Sequence, residues 1–137
     1  MYQFPEIKID LKITLKKIIT VVSLELVIAI VFVIGIDEEK HTLSILYHSY
    51  FADILIPFGF YFLLVPNELR VPMLQQWEIK ALLIFALCST SEILQYFGIF
   101  ALARVFDPMD FVMYGVGVAL AIFVDRQIFT RTLVFWE

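Results

Sequence analysis

Four long apolar stretches constrain this chain more than any other feature of it. The first runs from Ile18 to Ile36, with Glu25 as its only charged residue. At about 1.5 Å per residue such a stretch is roughly 28 Å long as a helix, close to the hydrocarbon thickness of a bilayer. Asp37-Glu38-Glu39-Lys40 ends it. The second, from about Ser49 to Val65, carries Asp53 and Pro57 and stops at Pro66-Asn67-Glu68. The third runs from about Ile79 to Phe97 and includes Glu92 and Gln95. The fourth begins near Pro108 and ends at Asp125-Arg126.

A bilayer leaves no water for unpaired backbone groups, so spanning segments are helices or closed barrels. Barrel strands alternate apolar and polar residues, whereas these stretches are continuous. Composition agrees: 61% of the 137 residues are hydrophobic, against about 45–50% in soluble domains. The expected fold is an all-α, polytopic bundle of about four transmembrane helices. No linker, repeat or low-complexity tract divides residues 1–137, so one domain is expected.

Orientation follows from Lys and Arg. With the N-terminus inside, the cytoplasmic side holds Lys8, Lys12, Lys16, Lys17, Arg70, Lys80, Arg126 and Arg131, and the outer side only Lys40 and Arg104. Both termini are therefore expected in the cytoplasm. Residues 1–17 form a lead-in. Within it, Ile7-Lys8-Ile9-Asp10-Leu11-Lys12-Ile13 alternates like a strand, but a lysine-rich apolar segment beside a bilayer equally suits lying on anionic headgroups, and the surface-lying reading is preferred.

Net charge is −4, with no basic cluster beyond the N-terminal region, which argues against a nucleic-acid partner. Cys88 is the single cysteine and allows no intrachain disulfide. The pattern contains no zinc cluster, no nucleophile elbow and no phosphate-cradling glycine loop, so no cofactor is assigned.

Ionisable groups inside spans are costly and are functional suspects by default. In the orientation above, Asp53, Glu92, Gln95, Arg104, Asp107 and Asp110 fall at one level, the outer half of the bundle. His41 and His48 lie in the first outer loop, as interfacial side chains in preference to metal ligands. Glu92 and Gln95 are three apart and share a helix face, as do Asp107 and Asp110. Pro57 removes the amide that would bond the Asp53 carbonyl. Asp107-Pro108 also reads as a helix cap with proline in the first turn, which would account for both aspartates. Arg104 pairs equally well with Asp107 at headgroup level, and Glu92, Gln95 and Ser89-Thr90-Ser91 suit helix–helix packing. Glu25 stands apart, toward the inner half. Together these residues form a candidate headgroup or cation site, in which Arg104 would grip phosphate and carboxylates would hold a hard cation.

The order Glu92-x-x-Gln95, Arg104-x-x-Asp107-x-x-Asp110 and then Gly117 in an apolar helix resembles the VanZ-like family, small bacterial membrane proteins named for one associated with resistance to the glycopeptide teicoplanin. The resemblance covers residues 91–117 and departs at Tyr114, where the family pattern has asparagine; His48 and Asp53 are similar in kind but not in spacing. It implies a multi-pass protein of the bacterial cytoplasmic membrane, working in the cell envelope. Membrane lipids, or a lipid-linked envelope precursor, are the partners expected at the outward polar site. Three alternatives remain open: a membrane-embedded enzyme acting on a phospholipid or polyprenyl phosphate, an ion or proton conductor, and a structural subunit. The conductor would need groups spaced across the membrane, or an oligomer to supply them.

Overall fold

The computed structural model of the protein describes residues 10–36, 42–101 and 105–136. Most of these residues are helical, and none of them forms a strand. Four long helices follow in order: α1 (Leu11–Ile36), α2 (Thr42–Leu64), α3 (Trp77–Tyr96) and α4 (Pro108–Phe123). Two short 3-10 turns, Val65–Asn67 and Pro72–Gln75, join α2 to α3. Beyond α4 come a π-helical turn (Val124–Phe129) and a last helical turn, α5 (Thr130–Thr132).

Three segments are long and apolar enough to cross a membrane: Leu11–Ile34, His48–Asn67 and Pro108–Thr132. Four long helices match the expected helix count, but only three segments among the described residues have the length and hydropathy of a span, and α3 is not one of them. Its Glu78, Lys80, Glu92 and Gln95 lower its hydropathy. Yet α3 is turned inside out relative to a soluble helix: Lys80, Glu92 and Gln95 are buried, while Leu82, Leu83, Leu87 and Ile93 are exposed.

Helix α1 begins seven residues before the predicted Ile18. Asp10 caps it, its carboxylate accepting from the Lys12 amide at 3.0 Å and its carbonyl from Thr14 at 3.0 Å. The strand-like alternation therefore does not hold from Leu11 onward; Ile7, Lys8 and Ile9 lie outside the described residues. At its far end α3 closes on Gly98, the one glycine at positive φ (+75°) among those described, with Gly98 donating to the Gln95 carbonyl and Ile99 to that of Leu94.

The helices run alternately up and down. The starts of α1 and α3 and the ends of α2 and α4 meet at one end of the bundle, called proximal below. The starts of α2 and α4 and the end of α3 meet at the other, distal end. Helix α4 packs most extensively on α2, and α3 packs on both. The core joins Tyr61 and Phe62 of α2, and Val65 of the turn after it, with Ile84 and Cys88 of α3 and Tyr114, Val118 and Ala121 of α4. The α2–α4 approach is close at Gly117, where a Cβ would stand 2.2 Å from the Ile54 carbonyl oxygen and 2.6 Å from Pro57 Cγ. Pro57 is fully buried inside a continuous α2. Helix α1 lies to one side, packed on α2 and the Val65–Asn67 turn. Most of its apolar side chains, among them Ile19, Leu26, Val27, Val33 and Ile34, face outward.

Candidate functional site

The distal end gathers most of the carboxyls expected there. Glu92 is fully buried between α3 and α4. Its Oε1 accepts from the Asp107 backbone amide at 2.7 Å, and its Oε2 from the Tyr114 hydroxyl at 3.4 Å. Asp107 caps α4, its Oδ1 accepting from the Met109 amide at 2.9 Å, with Pro108 in the first turn. The helix-cap reading is thus correct for Asp107, but the residue does more: its Oδ2 accepts from the Tyr50 hydroxyl of α2 at 3.1 Å. Asp53 of α2 and Asp110 of α4 lie side by side, with their carboxyls within reach of each other. Four acids from three helices therefore stand together, held by Tyr50 and Tyr114.

Other expected members are placed differently. Gln95 is buried, but its amide donates to the Ala101 carbonyl at 2.6 Å, tying the end of α3 to the following loop, while its Oε1 is buried with no partner among the described residues. His48 is half-buried near the start of α2. Arg104 and His41 lie outside the described residues. Glu25 is not part of this cluster; it lies over Gly59 in a separate groove between α1 and α2. Thr90 and Ser91 bond back to carbonyls of their own helix, Ala86 at 2.7 Å and Cys88 at 2.9 Å, rather than across to a neighbour. Among the described residues no group of three or more His, Cys, Asp and Glu side chains is arranged to hold a metal ion.

The proximal end carries a second polar centre. Glu68, just past α2, takes Lys17 of α1 on Oε2 at 3.1 Å and Lys80 of α3 on Oε1. Lys80 also reaches Asp125 Oδ2 at 3.4 Å. Asp125 opens the π-helical turn and accepts from the Tyr61 hydroxyl at 2.5 Å and the Trp136 indole at 2.6 Å. All six side chains are buried. Lys17 also lies over the Trp136 ring, and Lys80 over that of Tyr61. All but Tyr61 border a polar cavity of about 270 Å³, which Gln75, Trp77, Arg126 and Thr130 also line. π-Turns inside helices recur at functional sites; here the turn aims Asp125 at three donors.

Read from the sequence, these residues were boundary markers: Lys17 and Lys80 entered only the orientation count, and Glu68 and Asp125 only marked span ends. The available signal was the balance of acids and bases at the same four helix ends, beside Trp77 and Trp136. Along α3 and α4, the buried residues between the two centres are apolar: Ile84 and Cys88 on one helix, Val118 and Ala121 on the other.

No family model, curated protein or solved structure matches the chain.

Proposed function

We propose that the protein is a VanZ-like envelope protein, spanning the bacterial cytoplasmic membrane four times with both termini in the cytoplasm, whose distal polar cluster faces outward and binds the headgroup of a lipid or of a lipid-linked cell-wall precursor. The observation that carries this reading is the buried meeting of Glu92 with Asp107 and Tyr114, beside the Asp53–Asp110 pair. Four acids in a low-dielectric bundle are held at a cost that packing alone does not require. They present acceptors, so the ligand they suit is rich in donors: amines, amides or sugar hydroxyls. In this reading Arg104, in the loop between Glu92 and Asp107, supplies the grip on phosphate. The inside-out burial of α3 supports its role as the fourth span, and the proximal centre, with Lys17, Lys80 and Arg126, supports a cytoplasmic placement of that end by the excess of basic residues.

The apolar residues between the two centres weigh against the conductor, because among the described residues they interrupt the polar groups of a single bundle. The headgroup reading is tested by native mass spectrometry of gently extracted protein, comparing wild type with Glu92→Gln and Arg104→Ala. A co-purifying lipid or prenyl phosphate, lost in both variants, supports it. Bare protein in all three forms, or a lipid retained equally by all, overturns it.

A further inference from the structure

The groove between α1 and α2 is unlike the two polar centres. It has a volume of about 380 Å³ and walls of Ile28, Ala29, Phe32, Leu55, Ile56 and Phe60. Glu25 lies in it. One carboxylate oxygen, Oε1, is buried and has no hydrogen-bond partner among the described residues. Gly59 leaves the room that carboxyl occupies: a Cβ there would stand 2.9 Å from Oε2. Glu25 lies fourteen residues beyond Leu11, where the membrane-length segment begins, about 21 Å along it at helical rise, a depth where an unpaired acceptor is costly.

We propose that this groove is a binding site for a lipophilic amine, a molecule with an apolar body and one ammonium end. The charge complementarity is local: a lone carboxyl among apolar walls is matched by a single cation with N–H donors, and by nothing larger or more polar. The alkyl body takes the place of lipid against Phe32, Leu55 and Phe60, and the ammonium donates to Glu25 Oε1. An alcohol supplies a donor without charge, and a carboxylate repels; both bind less well. The site is independent of the distal headgroup cluster, which shares none of its lining residues.

The test uses the full chain in nanodiscs with two photoreactive probes, a diazirine-bearing dodecylamine and the matching dodecanol. The amine is expected to label the groove walls saturably, around 28–32 and 52–60, with unlabelled dodecylamine competing. Glu25→Gln, close in shape but neutral, is expected to lower amine labelling about tenfold, roughly the worth of one charge-assisted hydrogen bond, and to leave dodecanol labelling unchanged. Ala29→Phe, which fills the groove, is expected to remove labelling by both probes. Helical content and lipid retention at the distal cluster, followed in the same samples, separate a lost groove site from a misfolded bundle. Equal labelling by amine and alcohol, unchanged amine labelling in Glu25→Gln, unsaturable labelling spread along the outward face of α1, or crosslinks to a second copy of the chain would each overturn the proposal.

Discussion

Gly117 and the Ile54 carbonyl approach so closely that a single methyl group on the glycine would sit 2.2 Å from the oxygen. That contact is with backbone, which cannot rotate away, so α2 and α4 must separate to admit it. Gly117→Ala is expected to destabilise the bundle by about 3 kcal/mol, the upper range for overpacking. Gly115→Ala, on the same helix but with Phe85 no nearer than 3.8 Å, is expected to be tolerated. Thermal unfolding of both variants in one detergent checks the contrast, and equal melting would refute it.

Lys80→Met is expected to be the most damaging single change at the proximal end. It leaves Glu68 with Lys17 alone and Asp125 without a cation, and removing one partner of a buried ion pair costs about 3–5 kcal/mol. Arg70→Met, at an exposed position in the turn after α2, is expected to have little effect. Denaturant unfolding of the two variants side by side decides between a structural clamp and an incidental contact.

Tyr61→Phe tests the clamp more gently. It deletes the 2.5 Å bond to Asp125 while keeping the ring that packs on Phe62. A hydrogen bond to a charged group contributes about 1.5–3 kcal/mol, and a loss in that range is expected. Trp136→Phe, which removes the second donor to the same carboxylate, should couple to it: the double variant is expected to lose more than the sum of the two, since of its three side-chain donors Asp125 then keeps only Lys80. Additive losses would show that the two donors act separately.

Much of the distal cluster was legible in the sequence, and the reason is local chemistry. Asp107-Pro108 announces a helix start, and Glu92 with Gln95 at a spacing of three announces a shared buried face. What the spacing did not give was partnership. Gln95 turns to the Ala101 carbonyl, and Tyr50, which holds Asp107, lies in another helix more than fifty residues earlier. Helix rotation decides such pairings, and stretches as uniformly apolar as α1 and α2 carry little periodicity from which to infer it. The proximal centre was missed for a related reason: a charge at the end of a span reads as a boundary, and only the tertiary fold shows Lys17, Glu68, Lys80 and Asp125 meeting in the interior.

Tyr114→Asn places at position 114 the asparagine of the VanZ-like pattern that residues 91–117 resemble. Because the Tyr114 hydroxyl bonds Glu92, an amide there offers a donor from a shorter reach. The variant is expected to retain co-purifying lipid, whereas Tyr114→Leu, with no donor, is expected to lose it. Native mass spectrometry of the two distinguishes a hydrogen-bonding role from a packing one; equal retention in both would assign Tyr114 to packing.

The proximal clamp also has an order in time. Its members occur along the chain as Lys17, Tyr61, Glu68, Lys80, Asp125 and Trp136, and chains emerge from the ribosome N-terminal end first. Lys17 and Glu68 form a neutral pair as soon as α1 and α2 are side by side. Lys80 then arrives bearing an excess positive charge that Asp125 cancels only when α4 is in place. A chain halted between α3 and α4 during synthesis therefore carries one uncompensated cation at this end, which only the arrival of α4 neutralises.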